Sequence, residues 1–235
     1  MKFEFSNQSL AVVIGAAGGI GAALFNSLKA SGMWGEVIGL RRDTLPPLDI
    51  TKESMIRESA RMVSSAGYPL RLVINATGVL GRQGCIVEKS LRQLDPDAMQ
   101  RAFLINSIGP ALLMKHFLPL MDRQSRSVFA TLSARVGSIG DNRLGGWYSY
   151  RASKAAQNQL LRSAAVELRR SHPYSICVAI HPGTVDTPLT RGYAKTGLDV
   201  QEPAVAAQRI LSVLAGLDLS HSGGFFDNRG LPVPW

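Results

Sequence analysis

Tyr150 and Lys154 stand four residues apart in the stretch GGWYSYRASKAA, residues 145–156. On a helix, that spacing puts both side chains on one face. A free tyrosine has a pKa of about 10 and is a poor acid at neutral pH. An ammonium beside it stabilises the phenolate and lowers that value. Tyr150 is therefore a candidate proton donor and Lys154 its tuner. Tyr148 lies six residues from Lys154 and falls on another face. A Y-x-x-x-K spacing is common by chance, so its meaning depends on the elements around it.

Those elements alternate. Short apolar runs read as strands at residues 10–15, 36–42, 45–50, 70–78, 127–133, 174–183 and 222–227. Helix-period segments lie between them at residues 20–32, 51–67, 95–121, 147–170 and 202–217. Gly32 is a plausible stop for the first helix, and Thr51 opens the second with Glu53 and Ser54 in its first turn. The third has Pro96 at its start and Pro110 inside, which predicts a kink or break there. Near-continuous apolar strands fit a sheet covered by helices on both faces. The pattern predicts a single-domain α/β fold with an open, doubly wound parallel sheet. In such sheets ligands bind outside the carboxyl ends of the strands.

The residues that follow the strands are therefore the next candidates. After the first comes GAAGGIG, with Gly15, Gly19, Ile20 and Gly21. Glycine at a strand–helix turn lets backbone approach a pyrophosphate, and the helix N-terminus supplies N–H groups and positive dipole. After the second come Arg41 and Arg42 where an acid would bond the ribose of NAD; arginine suits the 2′-phosphate of NADP. Asp49 and Ile50 end the third run, and Asn75, Ala76 and Gly78 end the fourth.

Composition removes other classes. The chain has 235 residues, 46% hydrophobic and 18% charged, without a repeat or a linker. Its charge of +9 is spread along the chain, with no basic run longer than a pair, and aromatics are 7%. A nucleic-acid surface usually gathers its basic residues, so no nucleic-acid partner is expected. Cys85 and Cys177 form no C-x-x-C pair, and the four histidines lack ligand spacing, so no metal is expected. The uncharged stretch 10–25 is too short and too glycine-rich to span a bilayer. A cytoplasmic protein without a membrane partner is expected.

Together GAAGGIG, LDIT, NATG, FLINSIGP, YSYRASK and HPGTVDT resemble the short-chain dehydrogenase/reductase family, in order and near its spacings, over essentially the whole chain. The segments VGSIGDN and SGGFFDNRGLPVPW resemble the branch holding the C-factor signalling proteins and sniffer-type carbonyl reductases. The resemblance implies a Rossmann-type fold, NADP(H) as cofactor and a small carbonyl or secondary alcohol as substrate. It implies Tyr150 as proton donor or acceptor, and Lys154 as the residue that tunes it and holds the nicotinamide ribose. Asn106 would hold a water on a proton relay. Ser133, with Pro182, Gly183, Val185 and Thr187, would join the cofactor site. Pairing through the long helices into a homodimer or homotetramer is implied as well.

Three features depart from the family pattern. Ile14 replaces a threonine, and NATG replaces N-N-A-G. The third concerns the serine that usually ends the fifth strand and bonds the substrate carbonyl. Aligned on the strand, Ala134 takes that place, with Ser133 on the other side of the pleat. Counted back from Tyr150, the place falls near Gly137 and Ser138. Ser138 is carried as the possible replacement donor. The pocket is expected above Tyr150, walled by residues 140–147 and 189–199, with Leu144, Trp147 and Tyr193 as lining.

Overall fold

The fold is taken from a computed structural model that describes residues 7–81, 87–190 and 199–235. Cys85, Tyr193 and most of the expected 189–199 wall lie outside the described residues.

Strand β1 (Leu10–Ile14) is wholly buried along its length, which follows from five apolar residues in a row covered from both sides. It pairs in parallel with β2 (Glu36–Leu40) on one side and β3 (Leu70–Asn75) on the other. The sheet continues through β4 (Ser127–Leu132) and β5 (Ser175–His181) to β8 (Phe225–Asp227), in the order β2-β1-β3-β4-β5-β8, every pair parallel. Two short strands, β6 (Thr184–Val185) and β7 (Val200–Gln201), pair separately.

Among the described residues six α-helices flank the sheet: α1 (Gly19–Ala30), α2 (Glu53–Ser64), α3 (Pro96–Phe103), α4 (Gly109–Phe117), α5 (Tyr148–Ser171) and α6 (Pro203–Gly216). One apolar layer joins Ile14, Phe129, Cys177 and Phe225 to α2, α4 and α5. The other joins Val13, Ile74, Val178 and Ile180 to α1 and α6. The chain winds both ways from β1, so the crevice between the carboxyl ends of β1 and β3 is the switch point where such sheets take ligands. The Rossmann-type doubly wound sheet expected from the sequence is the fold found.

Two local expectations fail. Residues 45–50 form no strand; they turn, with Leu48 N–H bonded to the Arg41 carbonyl at 2.9 Å. Pro46 and Pro47 each lack the N–H that a ladder needs, so β2 is left as the sheet edge. Thr51 does not cap α2 either: Lys52 takes the N-cap, and Thr51 donates its hydroxyl to Asp49 at 2.8 Å.

The other signals hold. Gly32 follows the end of α1 with φ +64°. Asp95 caps α3 by accepting Ala98 N–H at 2.7 Å, ahead of Pro96. The break at Pro110 takes the form of a π-turn over Leu104–Ile108. By length and apolarity the run Pro96–Leu120 could cross a membrane, yet its second half packs into the core through Leu113, Met114 and Phe117.

Candidate active site at the start of helix α5

Helix α5 begins where the chain leaves a strained turn. Trp147 precedes it in the left-handed region at φ 53°, and no side chain of its own caps the helix. Glu88 does so from the β3–α3 connection. Its buried carboxylate accepts the Ser149 N–H at 3.3 Å and the Ser149 hydroxyl, and its carbonyl accepts Trp147 N–H. A carboxylate at a helix N-terminus also meets the positive end of the dipole. The effect is to fix the first turn, which carries Tyr150. The Trp147 ring sets its edge against Tyr150, 6.2 Å between centroids.

Three segments converge on the Tyr150–Lys154 turn. Gly78, after β3, leaves room there: a Cβ on it would sit 3.4 Å from Asn106 Oδ1 and 3.6 Å from Lys154 Nζ. Asn106, in the π-turn, is wholly buried and clamps Val79 at both ends, accepting its N–H at 2.9 Å and donating to its carbonyl at 3.0 Å. It also donates to Ser153 Oγ at 3.1 Å, and Ser107 donates to the Ser153 carbonyl at 2.7 Å. The 3₁₀ turn Arg135–Gly137 completes the enclosure, with Gly137 close against Lys154.

The Asn106 side chain is thus fully engaged. Its main-chain carbonyl has no α-helical donor, because residue 110 is proline.

Lys154 is buried at 3% exposure, and its Nζ donates to the Leu132 carbonyl at 2.9 Å and to Gln157 Oε1 at 2.8 Å. Burial disfavours its charge and pulls its pKa down to about 7. Burial pushes the Tyr150 phenol the other way, above the ordinary tyrosine range. At neutral pH Tyr150 therefore holds its proton, and Lys154 is near half-charged.

This has a consequence for stability. Between pH 7 and 10.5 the unfolded chain keeps a proton on Lys154 that the folded chain has released, so stability rises with pH across that window, by up to about 1.4 kcal/mol per pH unit. From pH 7 to 9 the melting temperature of the unliganded wild type rises relative to Lys154→Met. Tyr150 and Cys177 are shared by both proteins and cancel in the difference. Parallel melting curves at the two pH values would contradict the assignment.

The glycine turn faces this cluster across the crevice. Gly15 has φ +85°, and its N–H bonds Leu40 O at 2.9 Å, which brings Arg41 beside the turn. A Cβ on Gly21 would overlap the Gly15 carbonyl, so the helix can start this close only with glycine there. A Cβ on Gly19 would stand 2.7 Å from the Thr187 methyl. The first turn of α1, including Ile20, has no side-chain cap, so its N–H groups are left for an anion. This is a cradle for phosphate that any larger residue would fill. The arginines are exposed, and Arg41 pairs with Asp43 at 3.0 Å.

The segment after β5 closes the far side. Gly183 has φ +82°, the Pro182 carbonyl accepts Gln201 Nε2 at 2.6 Å and Asn228 Nδ2 at 3.1 Å, and Val185 is buried.

Some expected site residues turn elsewhere. The Asn75 side chain is wholly buried, donating to Thr131 Oγ1 at 2.9 Å and accepting from Thr77. Ile50 packs its side chain against Gly109 in the core. Asp49 holds Thr51, and Ala76 continues the ladder to Ile14 O. Ser133 donates to Asn158 Oδ1 at 2.7 Å, on the α5 side of the sheet. Its N–H extends the β5 ladder to Ile180 O at 2.8 Å, so Ala134 falls on the opposite side of the pleat. Ser138 is buried and its hydroxyl accepts Asp141 N–H at 3.0 Å.

The wall of the pocket also differs. Leu144 is 91% exposed. The cleft beside Tyr150 is lined instead by Val79, Leu80, Val87, Glu88, Arg101 and Ser149 among others. Sequence reading missed Glu88, Ser153 and Gln157. The proline four residues after Asn106 was the one local signal available for the π-turn.

A family model described as enoyl-(acyl carrier protein) reductase matches residues 15–213. C-signal of Myxococcus xanthus is 36% identical over 168 residues, 71% of this chain and 93% of that protein. A 1-hydroxy-2-glutathionyl-2-methyl-3-butene dehydrogenase of Rhodococcus sp. (strain AD45) is 30% identical over 194 residues, 81% of this chain and 79% of that one. Among solved structures, the NADPH-bound carbonyl reductase from chicken fatty liver superposes with a TM-score of 0.83 at 28% identity, covering 97% of this chain and 99% of that one. The carbonyl reductase Sniffer of D. melanogaster gives 0.82 at 20% identity over the same shares, a likeness of fold.

Proposed function

Because the chain belongs to the short-chain dehydrogenase/reductase family of oxidoreductases, we propose that it reduces a small ketone or aldehyde with NADPH, or oxidises the matching secondary alcohol. The observation that carries this is the cluster of half-buried Tyr150 and Gly78 with buried Lys154 and Asn106, which stands across the crevice from an uncapped glycine turn.

The residues present fit the dinucleotide. Gly15, Gly19 and Gly21 with the α1 N-terminus would hold the pyrophosphate, and Arg41 and Arg42 the 2′-phosphate. Lys154 would hold the nicotinamide ribose, and residues 182–187 the nicotinamide half. When bound, the cofactor supplies a hydride to the carbonyl carbon. Tyr150 gives its phenolic proton to the carbonyl oxygen, so the product alcohol gains one hydride and one proton. The phenolate left behind is stabilised by the Lys154 ammonium. Burial keeps Tyr150 protonated until that moment, and it makes the ammonium indispensable, because the phenol alone would be too weak an acid.

The exposed apolar residues Leu104 and Ile108 at α3–α4 and Leu160 on α5 support pairing through these helices into a homodimer or homotetramer. A second reading, a cofactor-binding signalling or sensor protein with little turnover, is favoured by Ala134 at the expected serine position and by the C-signal relative.

The purified chain separates the two readings with NADPH, NADH and a panel of ketones and aldehydes. Carbonyl-dependent oxidation of NADPH in preference to NADH supports the reductase. NADPH binding without oxidation across the panel supports the sensor.

A further inference from the structure

Gln157 lies one turn beyond Lys154 on α5, wholly buried. A buried amide costs free energy unless it is hydrogen-bonded, and an apolar residue would fill the same space without that cost. Every part of this amide is engaged. Its Oε1 accepts from Lys154 Nζ at 2.8 Å, and its Nε2 donates to Thr131 Oγ1 at 2.5 Å and, at 3.4 Å, to the Leu132 carbonyl.

The orientation is forced. Thr131 Oγ1 also accepts Asn75 Nδ2 at 2.9 Å, and Asn75 Oδ1 in turn accepts the Thr77 N–H and hydroxyl at 3.1 and 2.6 Å. Flipping the Gln157 amide would aim its oxygen at the Leu132 carbonyl, setting acceptor against acceptor. A continuous chain of hydrogen bonds thus runs from Lys154 across β4 to the end of β3.

We propose that Gln157 is a positioning residue for proton transfer: its carbonyl oxygen aims the Lys154 amine and favours its charged form, while Thr131 and Asn75 hold it in place. The inference rests on the reading of Lys154 as the partner of Tyr150.

The electrostatic setting makes the oxygen matter. On α5, Tyr150 lies one helical turn before Lys154, and Arg151 turns to the Gly145 and Gly146 carbonyls. Arg135, in the 3₁₀ turn packed on α5, is directed to Asp141 and Asp227 at 3.4 Å each. Glu88, at the head of the helix, is engaged by Ser149. The groups facing Lys154 from β4, the β3 turn and the π-turn are Thr131, the Leu132 carbonyl, Gly78 and Asn106, none of which ionises. Burial opposes the ammonium. Among the described residues, the side chain that accepts from it is Gln157. Two of its three donors are spent, and one remains for the site.

The test is a carbon-13 NMR titration of the lysine Cε signals in the unliganded protein, with Lys154 assigned by its loss in Lys154→Arg. Wild type is compared with Gln157→Leu and with Gln157→Glu, which keeps the shape and an acceptor. The Lys154 midpoint is expected to move to lower pH in Gln157→Leu, about tenfold higher in proton concentration, and to higher pH by at least as much in Gln157→Glu. The alkaline limb of kcat/KM for carbonyl reduction, which reports the free enzyme, moves the same way in each. Midpoints unmoved in both folded variants overturn the proposal; should Gln157→Leu fail to fold, Gln157→Glu alone decides. Midpoints that move while no protein oxidises NADPH would uphold the Gln157–Lys154 coupling and refute the reductase reading instead.

Discussion

Replacing Tyr150 with phenylalanine lowers carbonyl reduction by about 10²–10⁴-fold, the range for a lost general acid, and leaves NADPH affinity within a few-fold of wild type. The change removes one oxygen and one proton. The ring that meets the edge of Trp147 is kept. The contact of Ser153 Oγ with residue 150 is to the main-chain carbonyl, at 2.9 Å, and survives. The glycine turn, the α1 N-terminus and the 182–187 segment are untouched. Steady-state turnover beside nucleotide fluorescence titration measures both halves. Retained turnover in Tyr150→Phe would move the proton donor to another group.

The second large effect is a gain. Ala134→Ser raises kcat for carbonyl reduction by about 10–10²-fold, because an added hydroxyl can polarise the substrate carbonyl, and losing one such donor elsewhere costs about 10²–10³. The geometry favours residue 134 over 138. The ladder runs past Leu132 through the Ser133 N–H, Ser133 points toward Asn158, and Ala134 is extended at φ −147° and ψ 145° on the other side of the pleat. The next residues then turn so that Gly137 packs on Lys154. Ser138 holds the following loop through Asp141 N–H. Comparing kcat for wild type, Ala134→Ser and Ser138→Ala decides. No gain at 134 together with a loss at 138 would assign the donor to Ser138.

Much of this was legible in the chain because its signals are local. The GAAGGIG turn works through steric exclusion at Gly15, Gly19 and Gly21, and glycine is the only residue that satisfies it. Tyr150 and Lys154 share a face through helix periodicity alone. Pro110 announced a break in the long helix. The alternation of apolar runs placed the strands, except at residues 45–50, where two prolines outweighed the apolar pattern by removing donors.

What was not legible depends on long-range placement. Asn75 read as a site residue by its position after β3, but its partner Thr131 is 56 residues away and turns the side chain inward. Glu88 caps a helix that starts some 60 residues later. Gln157 read as one more polar residue on a helix; its burial against Thr131 depends on the packing of α5 on β4. The Lys154 pKa follows from that burial, not from any local spacing, so the sequence could propose that lysine tunes tyrosine without showing that the lysine itself is held near half-charge.

The central claim is hydride and proton delivery to a carbonyl at Tyr150. The most direct test uses NADPH deuterated at the transferable position of nicotinamide C4, with a ketone from the panel that is turned over fastest, and mass spectrometry of the alcohol formed. The account predicts deuterium on the carbinol carbon in wild type and at least about 10²-fold less of it formed in the same time by Tyr150→Phe. NADPH that binds to the wild type yet yields no deuterated alcohol with any ketone would contradict it.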